Sequence, residues 1–243
     1  NDNGSALTNG NLINYSYSTN GLLGYFAFYG GDFYSESPIN STSFSLQLNS
    51  NFNVTNNMIL WAQDTFGVQY QNGLYYVTIV DNLWNSSGPN LTQSLIQGNG
   101  TIYPSNNRNY YAYGPPIVYE TSAPFYLIAY MTINQSSNGY PQVYMYYEFE
   151  NSTYSSGLIH YDTITILIPS NNSEFLTGIY NNINSYNPHA PFVTQWVIGG
   201  FASGAQLSVY SWNASMMLYY EYNGQFYSVP DAVSLQPSYF TAG

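Results

Sequence analysis

The chain has 243 residues, twelve carboxylates, one permanent cation (Arg108), no cysteine, and only 5% charged residues. Without a basic footprint it is not a nucleic-acid binder, and without thiols it holds neither disulfides nor thiolate metal sites. No apolar run reaches the roughly 20 residues of a membrane-spanning helix.

The charge deficit carries the first functional inference. Ordinary soluble domains are about 25% charged. In strong acid they lose their negative charges, keep their lysines and arginines, and repel themselves apart. Here the formal charge of −11 at neutral pH collapses in acid to Arg108, His160, His189 and the amino terminus. Acid unfolding works largely by protonating carboxylates that the native state needs ionised, and few ion pairs are possible in this chain. It reads as built for strongly acidic surroundings. Its stability is expected to be flat between about pH 6 and pH 2.

In chain order, alternating or apolar runs predict strands over 43–48, 58–66, 74–80, 117–119, 125–133, 142–149, 163–168, 192–198, 206–212 and 215–222. Asn72-Gly73 and Asn223-Gly224 read as hairpin turns. Residues 99–109 read as a long loop. The spacing of Phe175, Ile179 and Ile183 predicts one helix over 173–183. The expected fold is therefore all-β: an antiparallel sandwich or jelly-roll-like architecture with at most one short helix. Residues 1–20 form an N-terminal extension able to donate a strand to a neighbour, and 21–243 form one β domain.

Asn-x-Ser/Thr acceptors stand at Asn3, Asn14, Asn40, Asn53, Asn85, Asn90, Asn99, Asn134, Asn151, Asn171 and Asn213. Such a density predicts a glycan-coated protein outside the cell or on its surface.

The chemistry narrows by elimination. A Ser-His-Asp triad needs a neutral histidine as base, and in acid both histidines carry a proton. His160 and Asp162 lie two apart on a predicted strand and so share a face; a surface hydrogen-bonded pair is the better reading of them than a metal site. Gly199, Gly200 and Gly204 lack the lysine of a phosphate loop. No metal and no cofactor is expected. Carboxylates remain, because they titrate in the acid range. On 58–64, alternation puts Trp61 with Gln63 and Asp64 on the opposite face. On 143–150, Tyr144, Tyr146, Glu148 and Glu150 share one face, and Val143, Met145, Tyr147 and Phe149 share the core side. A tyrosine-lined strand face carrying acids suits the floor of a substrate cleft, or equally an ordinary solvent face.

Several segments resemble the thermopsin family of secreted archaeal acid peptidases. They include Leu60-Trp61-Ala62-Gln63-Asp64, Asp81-Asn82-Leu83-Trp84-Asn85, Tyr147-Glu148, Tyr161-Asp162-Thr163 and Gly199-Gly200. The resemblance runs from about residue 21 to 230. It implies a pepstatin-sensitive endopeptidase that is active in acid and prefers large hydrophobic residues around the scissile bond of a polypeptide substrate. A looser similarity to glutamic peptidases nominates Gln63 and Glu148 as a dyad, with Trp61, Tyr144 and Tyr146 lining the cleft. The rival is a proton-sharing carboxylate pair drawn from Asp64, Asp81 and Asp162. The alternative function is a non-catalytic, glycosylated surface or filament subunit that polymerises by strand addition.

Overall fold

β-Branched and aromatic residues at alternate positions make strands of nearly every described segment. The computed structural model describes residues 5–8, 11–14, 17–55, 58–88, 90–105, 108–177, 194–201 and 205–229. The strands are β1 (Ser5–Thr8), β2 (Asn11–Asn14), β3 (Tyr17–Thr19), β4 (Gly21–Ser35), β5 (Ser43–Thr55), β6 (Met58–Gln71), β7 (Leu74–Asn85), β8 (Ile96–Gln97) and β9 (Thr101–Ser105). They continue as β10 (Arg108–Ala112), β11 (Ile117–Thr121), β12 (Phe125–Gln135), β13 (Pro141–Asn151), β14 (Ile159–Ile166), β15 (Phe175–Thr177), β16 (Gln195–Gly199), β17 (Leu207–Tyr222) and β18 (Gln225–Ser228). Among the described residues the helical content is a single 3-10 turn, Gln93–Leu95.

Two large antiparallel sheets form the sandwich. One runs β3-β15-β5-β6-β7-β10-β9, with β11 also on β7 and β16 also on β5. The other runs β18-β17-β4-β12-β13-β14-β8. Among the described residues, strands β1 and β2 pair with each other, and β3 joins the first sheet by pairing with β15. The inner faces meet in one core, to which Leu46, Phe66, Ile79 and Leu83 contribute from the first sheet and Phe26, Leu127, Met145 and Phe149 from the second.

The hairpins form where expected. Asn72 and Gly73 have φ of 53° and 87°, and Asn223 and Gly224 have φ of 51° and 73°. Two successive positive φ values give the turn twist that matches the strands it joins.

Four expectations need correction. The loop expected over 99–109 is largely strand: β9 and β10 pair from Arg108↔Ser105 to Ala112↔Thr101, a ladder hidden in the sequence by Gly98, Gly100 and Pro104. Strand β4 has no counterpart among the predicted strands, because its four glycines interrupt the apolar pattern. The two strands expected over 206–222 are one, β17, and register shifts at Val209/Ser211 and Asn213/Ala214 absorb the irregularity. Of the expected helix, Phe175–Thr177 is strand β15, bonded to β3 and β5, and 178–183 lie outside the described residues.

Aromatic packing closes one end of the core. Phe28 meets the rings of Phe26, Phe33, Phe44, Tyr75, Phe125 and Trp212 at centroid distances of 5.2–6.1 Å. A fully buried side chain with this many ring partners leaves a cavity that its neighbours cannot fill. Phe28→Ala is expected to cost about 3–5 kcal/mol in chemical denaturation.

Candidate active site: three aspartates between the sheets

Strand register brings the acids together. Asp64 on β6 and Asp81 on β7 are direct cross-strand partners on the inner face of the first sheet. Asp162 comes from β14 in the opposite sheet. All three are fully buried, at 0% exposure.

A β-bulge places the third acid. Met145 pairs with Asp162 and Tyr146 with His160, so Tyr161 is the extra residue. A bulge lets two consecutive side chains face the same way, and Tyr161 and Asp162 are both buried while His160 is exposed. The expectation that His160 and Asp162 share a face is therefore overturned. The His160 ring lies outside, against Tyr146 at 5.0 Å, with Nε2 at 2.8 Å from the Thr163 hydroxyl.

Each acid has its own partners. The Tyr161 hydroxyl donates to Asp64 Oδ1 at 2.9 Å, and the Tyr113 backbone N–H donates to Asp81 Oδ1 at 3.1 Å. Asp162 accepts three donors: Asn99 N–H at 2.9 Å and Thr163 N–H at 2.7 Å on Oδ1, and the Tyr111 hydroxyl at 2.5 Å on Oδ2. Tyr111 in turn accepts from Gly100 N–H at 2.6 Å. This close approach requires glycine, because a Cβ on Gly100 would collide with the Ala112 carbonyl.

The electrostatics follow from burial. Desolvation pushes Asp64 well above the usual carboxylate range, against the opposing hydrogen bond from Tyr161. Desolvation, then the carboxyls of Asp162 and Asp64, push Asp81 well above it too. Tyr161 and Tyr111 are raised, first by burial. The Oδ2 atoms of Asp64 and Asp81 are buried without a hydrogen-bond partner among the described residues. Burial therefore favours the protonated form of both Asp64 and Asp81. A carboxyl that keeps its proton next to a carboxylate can work as acid and base in acid.

The structure does not bring Gln63 and Glu148 together. Gln63 points to the outer face of the first sheet, where its Nε2 donates to Gln47 Oε1 at 3.1 Å and Asn49 Oδ1 at 3.0 Å. Glu148 lies on the outer face of the second sheet, in a hollow with Tyr25, Tyr126, Ile128 and Glu150. The core stands between them. The expected cleft residues divide in the same way: Trp61 is on the first sheet opposite Trp84, and Tyr144 and Tyr146 are on the second. Tyr111, Tyr113 and Tyr161 had no role in the sequence reading. Only the bulge and the β9–β10 hairpin bring them to the acids.

Behind Asp162 lies a groove of about 440 Å³, lined in part by Gln97, Gly98, Asn99 and Thr163. Two of these lining residues, Asn99 and Thr163, are the ones whose N–H groups hold Asp162.

Fold and site together define a β-sandwich protein with an aspartate cluster enclosed between its sheets. Comparison with known proteins makes this specific. The chain belongs to the Thermopsin family, whose model matches residues 1–236. It is 31% identical over 242 residues to Thermopsin of Sulfolobus acidocaldarius, an alignment covering 91% of this chain and 67% of that protein. No solved structure matches the chain. Among the described residues, no helix is long and apolar enough to cross a membrane.

Proposed function

We propose that this chain is an acid endopeptidase acting outside the cell, and that Asp81 and Asp162 are its proton-sharing pair with Asp64 in support. The observation that carries the reading is the convergence of three aspartates from both sheets, with Asp81 held protonated by burial and by its acidic neighbours. Membership of the Thermopsin family supports a polypeptide substrate. In the reaction, water adds to the scissile carbonyl carbon while Asp162 takes a proton from the water. Asp81 gives its proton to the carbonyl oxygen. The tetrahedral diol then collapses: Asp162 returns its proton to the departing amine nitrogen, the C–N bond breaks, and one hydroxyl proton restores Asp81. Cleavage beside large hydrophobic residues is the expected preference.

One observation favours the second reading, a non-catalytic glycosylated surface or filament subunit: the three carboxyls are closed to solvent. Its polymer form would use a donated strand. Within the proposed donor region, however, β3 already pairs with β15 of its own chain. On either reading, glycans belong on exposed acceptors such as Asn40, Asn90, Asn134, Asn171 and Asn213. Asn85 is 5% exposed, with Oδ1 bonded by Ser87, and is too enclosed to carry one.

Digestion of an unfolded protein substrate at about pH 2–3, with and without pepstatin, tests the proposal. Pepstatin-sensitive cleavage is the expected result. Native polymers seen by electron microscopy, with no proteolysis, would retire the enzyme in favour of the subunit.

A further inference from the structure

The second sheet ends on an open edge. Strand β17 pairs with β4 from Leu207 to Tyr220. On its other side β18 covers only 219–222, with one further bond from Val229 N–H to the Leu218 carbonyl. Among the described residues no strand pairs with that side of 207–217. The Leu218 carbonyl shows which main-chain groups face the open side, because alternate residues of an antiparallel strand point alike. The N–H and C=O groups of Trp212, Ala214 and Met216 therefore face away from the sheet, and those of Asn213 and Ser215 face β4. No bulge of β17 upsets this count. The shift at Asn213/Ala214 leaves Tyr29 of β4 as the extra residue, and Tyr210, the extra residue of β17, lies before the stretch.

Sheet edges are usually blunted by short length, charge or proline. The terminal strands of the two sheets obey this: β3 has three residues, β8 two and β18 four, and β9 carries Pro104. The open side of β17 does not. From Leu207 to Leu218 there is no Asp, Glu, Lys, Arg or Pro, and the regular stretch Ser211–Leu218 is about 26 Å long. Its inward side chains are also incompletely covered. Trp212 packs on Phe26, Phe28, Phe33 and Phe44, and Ala214, Met216 and Leu218 follow it on the same face. All four are half-buried, whereas Leu127, Ala129 and Met131 of central β12 are fully buried. A strand laid beside β17 satisfies the open main-chain groups and covers the flanks of these side chains.

We propose that the open edge of β17 docks an extended polypeptide substrate, which adds as a further strand of the second sheet. A neutral segment with apolar side chains at alternate positions fits, because the edge carries no charge and its half-covered side chains share the inner face. The identity of the guest rests on the peptidase reading, which family membership supports; the open edge stands apart from it. Strands β4, β12 and β13 separate β17 from β14, which carries Asp162. The two sites are thus about 19 Å apart across the sheet. The segment held at β17 is not the segment cleaved, and docking keeps an unfolded chain near the acids. A second copy of this chain is a poorer guest. β18 fills 219–222, so two antiparallel β17 strands overlap most fully when their exposed glycan acceptors, Asn213, lie side by side.

Amide hydrogen exchange on the intact chain at about pH 3 tests this. The probe is an end-blocked peptide of alternating Thr and Val, about seven residues long to match the edge, with mass analysis to show that it stays uncut. In the free chain the Trp212, Ala214 and Met216 amides should exchange at least about 10-fold faster than those of Asn213 and Ser215. Saturating peptide should slow those three about 10-fold or more and leave the other two unchanged. The same peptide N-methylated at alternate residues keeps its side chains but loses its donors, and should bind at least about 5-fold more weakly. Ala214→Pro removes an edge N–H without touching the β4 ladder, and should weaken docking by about 5–10-fold. The N-methylated peptide keeps the test sound if that variant fails to fold. Protection of the three amides in the free chain would overturn the proposal, because the edge would then be filled already; light scattering tells a second copy from the chain itself. Peptide binding that leaves the three amides unprotected, or an N-methylated peptide that binds equally well, would overturn it too. Docking without digestion of unfolded protein keeps the edge as a polypeptide site and removes the peptidase reading. Digestion without protection does the reverse.

Discussion

Asp162→Asn and Asp81→Asn are each expected to lower the proposed peptidase turnover by roughly 10²–10⁴-fold, the usual range for one general acid–base group. The loss should fall on kcat, with KM little changed, because neither carboxyl is needed to hold the remote parts of a peptide. An amide at position 162 would keep one oxygen to accept from Asn99 and Thr163 N–H, but its NH2 could neither accept from the Tyr111 hydroxyl nor take a proton from water. An amide at position 81 could not deliver one. Far-ultraviolet dichroism should be unchanged, since both substitutions are isosteric replacements of buried side chains. Glu148→Gln makes the contrast. Glu148 lies on an outer face, held by Ser155 at 3.3 Å, and its loss should leave turnover within about twofold. If Glu148→Gln abolished activity and Asp162→Asn did not, the aspartate cluster would lose its assignment.

Acid should stabilise this fold rather than merely spare it. An unfolded aspartate titrates near pH 3.9, and burial raises Asp64 and Asp81 well above that in the folded chain. Below about pH 4 both states hold these protons and the stability is at its full value. As pH rises, the unfolded chain releases protons that the folded chain keeps, so stability falls until the folded groups ionise too. Each aspartate contributes a slope of up to about 1.4 kcal/mol per pH unit in that window. Denaturant titrations at about pH 3, 5 and 7 should show a steady decline. Asp64→Asn should be near neutral at the acid end and stabilising at pH 7, because the amide needs no proton. A profile that is flat, or highest at pH 7, would contradict this. The flat profile expected from sequence considered only the ion pairs that acid would break, and not the buried acids that neutral pH would charge.

Much of the fold was legible because it rests on local chemistry. Alternation along β6, β7, β12 and β13 set their inner faces, and both Asn-Gly turns needed the positive φ that those residues tolerate. Asp64 was already placed on the face opposite Gln63. The cluster was harder to read. Residues 64, 81 and 162 meet only through strand order and sheet packing, which no local pattern encodes. The Gln63–Glu148 dyad failed to converge for the same reason: each strand's two faces were correctly separated, but which faces meet across the core is a long-range property. The His160–Asp162 reading assumed strict period two, and one bulged residue breaks it.

That bulge has a consequence for how the protein can change. In β14 the length of the strand matters as much as the identity of its side chains. Loss of His160 alone would slide Tyr161 opposite Tyr146, on the outer face. Its phenol would then leave Asp64 Oδ1, although no residue of the aspartate cluster had been replaced. Substitutions along β14 can be graded by the side chain they alter. A single-residue deletion there rewires the acids at once, so relatives that differ in length at this point should differ in chemistry even where all three aspartates are kept.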